Sequence, residues 1–133
     1  MLIKCDRHDL KICSAGMPPA LLYKKEYHKV EQILLKGMPL GSKLDYPYKE
    51  KELALSEGDT LLLMSDGLME LFNEQRDLLG LKRIESVFKE AADSSAADIL
   101  SQITKYADQW SGSTAQKDDM TILVMKAKKP SNL

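Results

Sequence analysis

Two acidic positions have the residue type and placement for chemistry. Asp66-Gly67 closely follows the apolar run Leu61-Leu62-Leu63-Met64, and Asp118-Asp119 closely precedes a second such run, Ile122-Leu123-Val124-Met125. Runs that are apolar at consecutive positions fit central strands of a sheet, buried on both faces between layers. If the two strands are neighbours, running antiparallel or parallel with offset ends, Asp66 and Asp118 come to one rim of the sheet. A hard cation such as Mg²⁺ or Mn²⁺ takes carboxylate and water oxygens with few protein ligands, so the pair specifies half of such a site. Each position also has a plainer reading when taken singly. Asp-Gly sets turns and caps helices, and adjacent carboxylates repel one another at little cost in an exposed loop.

Other chemistries find little support. His8 and His28, the only histidines, read as turn residues, and with Cys5 and Cys13 they match no zinc-finger spacing. Glu70 reads as a solvated helical glutamate rather than a third ligand. No glycine-rich phosphate cradle or Ser/Cys nucleophile elbow is present.

The elements that must position the two aspartates follow from patterning. Leu2 to Cys5 and Leu10 to Cys13 flank Asp6-Arg7-His8-Asp9 and predict a hairpin, with Cys5 opposite Leu10 and Ile3 opposite Ile12. That register sets Cys5 and Cys13 on opposite faces, which argues against a disulfide and leaves both as small core residues. Ser14 to Pro19 breaks the chain before a strand at Ala20 to Tyr23. Val30 to Leu35 forms a further strand, closed by Gly37-Met38-Pro39-Leu40-Gly41. A charged edge strand runs from near Lys49 to Leu55. Leu81, Ile84, Val87, Phe88 and Ala91 recur at helical spacing, as do Ile99, Leu100, Ile103, Tyr106, Ala107 and Trp110. Ser95 and Asp98 form a capping-box-like start to the second helix, and Gly112 closes it. Strands, then helices, then one returning strand define an α+β architecture. Residues 1–127 read as one unit and 128–133 as a polar tail.

With 133 residues and a net charge of −1, the chain has no global field to attract nucleic acid or an anionic membrane. No apolar run reaches membrane-spanning length, the N-terminus lacks a secretory signal, and the cytoplasm is the expected compartment.

Several motifs in order resemble the PPM-type phosphatase family, in the group that includes the stage II sporulation protein E. Ser14-Ala15-Gly16-Met17-Pro18-Pro19-Ala20-Leu21-Leu22 is similar to its Asn-Ala-Gly-His-Pro-Pro segment, with Met17 where histidine is common. Gly37 to Gly41 resembles Gly-Leu-Pro-Leu-Gly, and Gly58-Asp59-Thr60 through Asp66-Gly67 resembles the Gly-Asp-x-Leu-Leu-Leu-Tyr-Thr-Asp-Gly block. Gln116-Lys117-Asp118-Asp119-Met120-Thr121 resembles the closing Asp-Asp-x-Thr motif. The resemblance implies part of an α-β-β-α sandwich of antiparallel sheets flanked by helices, with the N-terminal portion absent. The family's Asp-x-x-Gly motif, which supplies a bridging carboxylate, has no counterpart before Cys5. By motif match, Asp66 and Asp118 are metal ligands of a binuclear Mn²⁺ or Mg²⁺ site, and Gly67 and Asp119 lie beside it.

The implied activity is serine/threonine protein phosphatase chemistry in bacterial signalling, by a metal-activated water, from an incomplete catalytic domain. The implied partner is a phosphorylated protein, an anti-sigma-factor antagonist in much of the group. The alternative is a non-catalytic module that binds a protein partner, a second copy included, through exposed sheet edges.

Overall fold

The computed structural model describes residues 1–115 and 118–129. Among these described residues, seven strands and three α-helices form two antiparallel sheets with helices over one of them. The strands are β1 (Leu2–Asp6), β2 (Asp9–Cys13), β3 (Ala20–Lys24), β4 (Lys29–Ile33), β5 (Glu50–Ala54), β6 (Thr60–Met64) and β7 (Ile122–Lys126). The helices are α1 (Asp66–Met69), α2 (Gly80–Ala91) and α3 (Ala96–Ser111), and a single 3₁₀ turn covers Lys25–Tyr27. One sheet has the order β1-β2-β5 and the other β4-β3-β6-β7.

The hairpin β1-β2 has the expected register, Ile3 opposite Ile12 and Cys5 opposite Leu10. Leu10 and Ile12 point into a core between the sheets with Ala20, Leu22, Ile33 and Leu61. The opposite face of β3 and β6, with Leu21, Tyr23, Leu62 and Met64, is covered by Ile84, Phe88, Ile99 and Ile103 from α2 and α3. Consecutive apolar residues on β6 are thus explained by an apolar layer on each face. Ser95 caps α3, its hydroxyl accepting the Asp98 N–H at 3.1 Å, and Gly112 ends that helix at positive φ. Among the described residues, the two sheets and the helices make three layers. The outer face of the three-stranded sheet carries Lys4, Lys11 and Glu52 in solvent.

Two expectations require correction. Cys5 is exposed and Cys13 half-buried, and neither is a core residue. Cys5 lies on an outer strand at its turn end, where the inter-sheet core stops at Leu10. β7 is an outer strand, not an internal one, and Leu123 is 45% exposed. Its apolar run does report a layer on each face, since Ile122 and Val124 pack on the helix side and Met125 toward the other sheet. Layers above and below say nothing of a neighbour alongside. Of the expected polar tail, residues 130–133 lie outside the described residues, as do 116–117 of the loop before Asp118.

Candidate metal centre

The antiparallel pairing of β6 with β7, Met64 opposite Ile122, carries the residues after Met64 alongside those before Ile122. The Ser65 N–H donates to the Thr121 carbonyl at 2.9 Å, and the Thr121 N–H donates to Ser65 Oγ at 2.9 Å. The Ser65 hydroxyl in turn reaches the Asp119 carbonyl at 3.4 Å. Gly67 closes the junction, because a Cβ there would stand 2.3 Å from the Asp119 carbonyl oxygen and 3.5 Å from that of Asp118. Here the missing side chain, rather than any unusual backbone angle, makes glycine necessary. Asp66 lies between Ser65 and Gly67, so Asp66 and Asp118 occupy one rim, by the antiparallel route. Asp66 is the first residue of α1, and Asp118 Oδ1 accepts the Asp119 N–H at 2.9 Å. Both aspartates are exposed.

The other two motif segments reach the same rim. Ala20 at the start of β3 pairs with Ile33 at the end of β4, and Leu21 pairs with Leu62, so residues 14–19 and 34–41 both leave the sheet beside the end of β6. They are packed on each other. A Cβ on Gly37 would stand 2.0 Å from the Ser14 carbonyl oxygen, and one on Gly16 would meet the Pro39 ring at 3.0 Å. Ser14 is buried and its hydroxyl accepts the Met17 N–H at 3.2 Å. Met17 lines a cavity of about 240 Å³ with Met1, Leu63, Met64, Ser65, Thr121 and Leu123. Its position is therefore apolar, in keeping with a methionine where histidine is common.

Chemically, the rim offers hard oxygen donors to solvent, which suits Mg²⁺ or Mn²⁺ better than a softer ion. Among the described residues no group of three or more His, Cys, Asp or Glu side chains converges as a cage. Asp119 turns its carbonyl oxygen toward Ser65 and Gly67, a backbone role. Glu70 is the exposed C-cap of α1. His8 sits in the hairpin turn, its Nε2 3.0 Å from the Lys128 carbonyl oxygen, and His28 bonds Tyr23 at the other end of the sheet. Ser65 is the residue of consequence that sequence patterning passes over, since a serine before Asp-Gly looks like any other turn serine. Only the pairing of β6 with β7 gives it a role.

The family model for stage II sporulation protein E matches residues 1–128. The phosphoserine phosphatase RsbU of Bacillus subtilis is 30% identical over 128 residues, covering 92% of this chain and 36% of the relative. The PP2C domain of SiaA from Pseudomonas aeruginosa superposes with a TM-score of 0.76 at 22% identity, over 90% of this chain and 46% of that one. The manganese-soaked phosphatase domain of SpoIIE from Bacillus subtilis gives a TM-score of 0.73 at 17% identity, over 99% of this chain and 57% of the other. The fold is thus that of part of a PP2C-type phosphatase domain. The chain belongs to the stage II sporulation protein E family, and spans about a third of the length of the curated relative it matches.

Proposed function

We propose that this chain provides the Asp66 and Asp118 half of a divalent-metal site in a serine/threonine protein phosphatase of bacterial signalling. The observation that carries the reading is the convergence of four sequence-distant segments, 14–19, 37–41, 65–67 and 118–121, on one rim with two exposed carboxylates. Donor type fits Mn²⁺ or Mg²⁺, and a binuclear site would supply an activated water for attack on phosphorus and balance the charge that develops. The chain's own residues hold the two aspartate-bearing segments side by side, through the β6-β7 pairing and the close approach at Gly67. Kinship with a phosphoserine phosphatase supports a phosphorylated protein as substrate, and an anti-sigma-factor antagonist is the type we favour. Two free thiols agree with a cytoplasmic setting. Among the described residues no helix is long and apolar enough to cross a membrane.

Mn²⁺ titration of thermal or urea stability tests the metal reading. At a tenfold excess over Kd the gain should be about 1.4 kcal/mol, and Asp66→Asn or Asp118→Asn should abolish it. An Mn²⁺ response that survives both substitutions removes the assignment. Two carboxylates are half a cage, so we expect little phosphatase turnover by the chain alone, and Mn²⁺-dependent turnover by the purified chain overturns that expectation.

A second reading, a module that binds a protein partner or a second copy, is favoured by β7 as an outer strand with Leu123 exposed. It requires self-association or partner binding with no Mn²⁺ effect on stability, and a strictly monomeric chain at high concentration counts against pairing between copies.

A further inference from the structure

We infer that Ser65 is a positioning residue whose hydroxyl fixes the Asp118 segment against Asp66, an inference that rests on reading the two aspartates as metal ligands. In the antiparallel ladder, continuing the β6-β7 register places Ser65 opposite Thr121. The Ser65 N–H makes its ladder bond to the Thr121 carbonyl, but the return bond does not go to the Ser65 carbonyl. That carbonyl has left the sheet and accepts the Leu68 N–H at 3.4 Å, the opening turn of α1. The Thr121 N–H donates instead to Ser65 Oγ at 2.9 Å. One residue therefore ends a strand, starts a helix and keeps its neighbour satisfied, which needs a hydroxyl on Cβ.

The capping geometry agrees. Ser65 is the N-cap of α1, with extended backbone, yet its hydroxyl makes no capping bond to that helix. An N-cap serine ordinarily uses its oxygen on the N–H groups of its own first turn. Here the oxygen is used across the rim, on Thr121 and the Asp119 carbonyl. Asp118 Oδ1 in turn accepts the Asp119 N–H, so the backbone that Ser65 fixes also orients the Asp118 carboxylate. Alanine at 65 leaves the Thr121 N–H without its partner, and either residues 118–121 shift or the turn into α1 does. Threonine retains the hydroxyl.

Amide-resolved NMR on the nitrogen-15-labelled chain tests this, with hydrogen exchange and paramagnetic broadening by Mn²⁺ alone as readouts. In the unsubstituted chain the Thr121 amide should be protected, and amides at 65–68 and 118–121 should broaden together as Mn²⁺ is added. In Ser65→Ala, Thr121 protection should fall, core amides of β3 and β6 should keep theirs, and the broadening midpoint should rise roughly tenfold. Ser65→Thr should restore both. Unchanged Thr121 exchange in Ser65→Ala overturns the bond, and lost protection with an unchanged Mn²⁺ midpoint overturns the positioning role. The metal reading fails separately if joint broadening is absent from the unsubstituted chain or persists in Asp66→Asn.

Discussion

Aspartates flank β6 at both ends, and the two ends treat them differently. Asp59, just before the strand, is 1% exposed and accepts from Lys24 Nζ at 2.7 Å and from the Ser56 and Lys25 N–H groups at 2.9 Å each. Nearby, Asp93 takes the Lys25 ammonium and the Tyr23 hydroxyl, and the Lys126 ammonium donates to the Ala92 carbonyl. At the far end of the strand, Asp66 and Asp118 stand in solvent, fixed through their backbones. A buried, saturated carboxylate cannot exchange its partners for a cation without leaving donors orphaned. An exposed one sits where water can take over from any partner that a cation displaces. Acidic residues at the two ends of β6 are thus divided by burial into a structural anchor and candidate ligands.

The largest effect should come from the anchor. Asp59→Ala removes the buried partner of a half-buried ion pair, leaving Lys24 with the Ala54 carbonyl and two backbone N–H groups unanswered, a loss of about 3 kcal/mol by urea unfolding. A loss below 1 kcal/mol would show that water replaces the carboxylate easily and would blur the contrast between the ends. Gly67→Ala should follow, at about 2 kcal/mol, because its Cβ would collide with the Asp119 carbonyl oxygen and the backbone must yield. Unlike Asp59→Ala, it should also weaken the Mn²⁺ response, since the segment that yields carries Asp118.

Acid sharpens the comparison further. Burial works against the charge on Asp59, but the Lys24 ammonium and the Ser56 and Lys25 N–H groups outweigh it and hold the carboxyl below its usual value of 3.8. A carboxyl depressed in the folded state contributes stability above its unfolded value and loses it as pH falls through the folded value. Stability should therefore decline below about pH 4, and Asp59→Asn should flatten that part of the profile. A slope unchanged by Asp59→Asn would assign acid sensitivity to other groups.

Much of this arrangement was legible in the sequence. Hairpin register followed from Asp6 facing Asp9, and the helices followed from apolar spacing together with Ser95 and Gly112. Asp66 and Asp118 met at one rim because apolar runs of equal character became neighbours. What was not legible depends on lateral or long-range partners. The outer position of β7 is invisible to a pattern that reports only layers above and below. The anchoring role of Asp59 is invisible along the chain because Lys24, its partner, is 35 residues away. Ser65 looks like any serine until Thr121 lies opposite it. Periodicity records which face is covered, and says little about who stands beside a residue in the same sheet.

The smallest expected effect is also the most diagnostic. In the absence of divalent cations, Asp66→Asn and Asp118→Asn should change stability by no more than about 0.5 kcal/mol, as exposed positions do. For Asp66 a slight loss is expected, because a negative charge in the first turn of α1 favours the helix dipole. A residue kept for folding should cost stability when it is removed, whereas one kept for a ligand should cost only the response to that ligand. Chelator-treated protein compared with Mn²⁺-loaded protein separates the two. A loss approaching that of Asp59→Ala in the metal-free state would make Asp66 a second structural anchor and end the distinction between the rims.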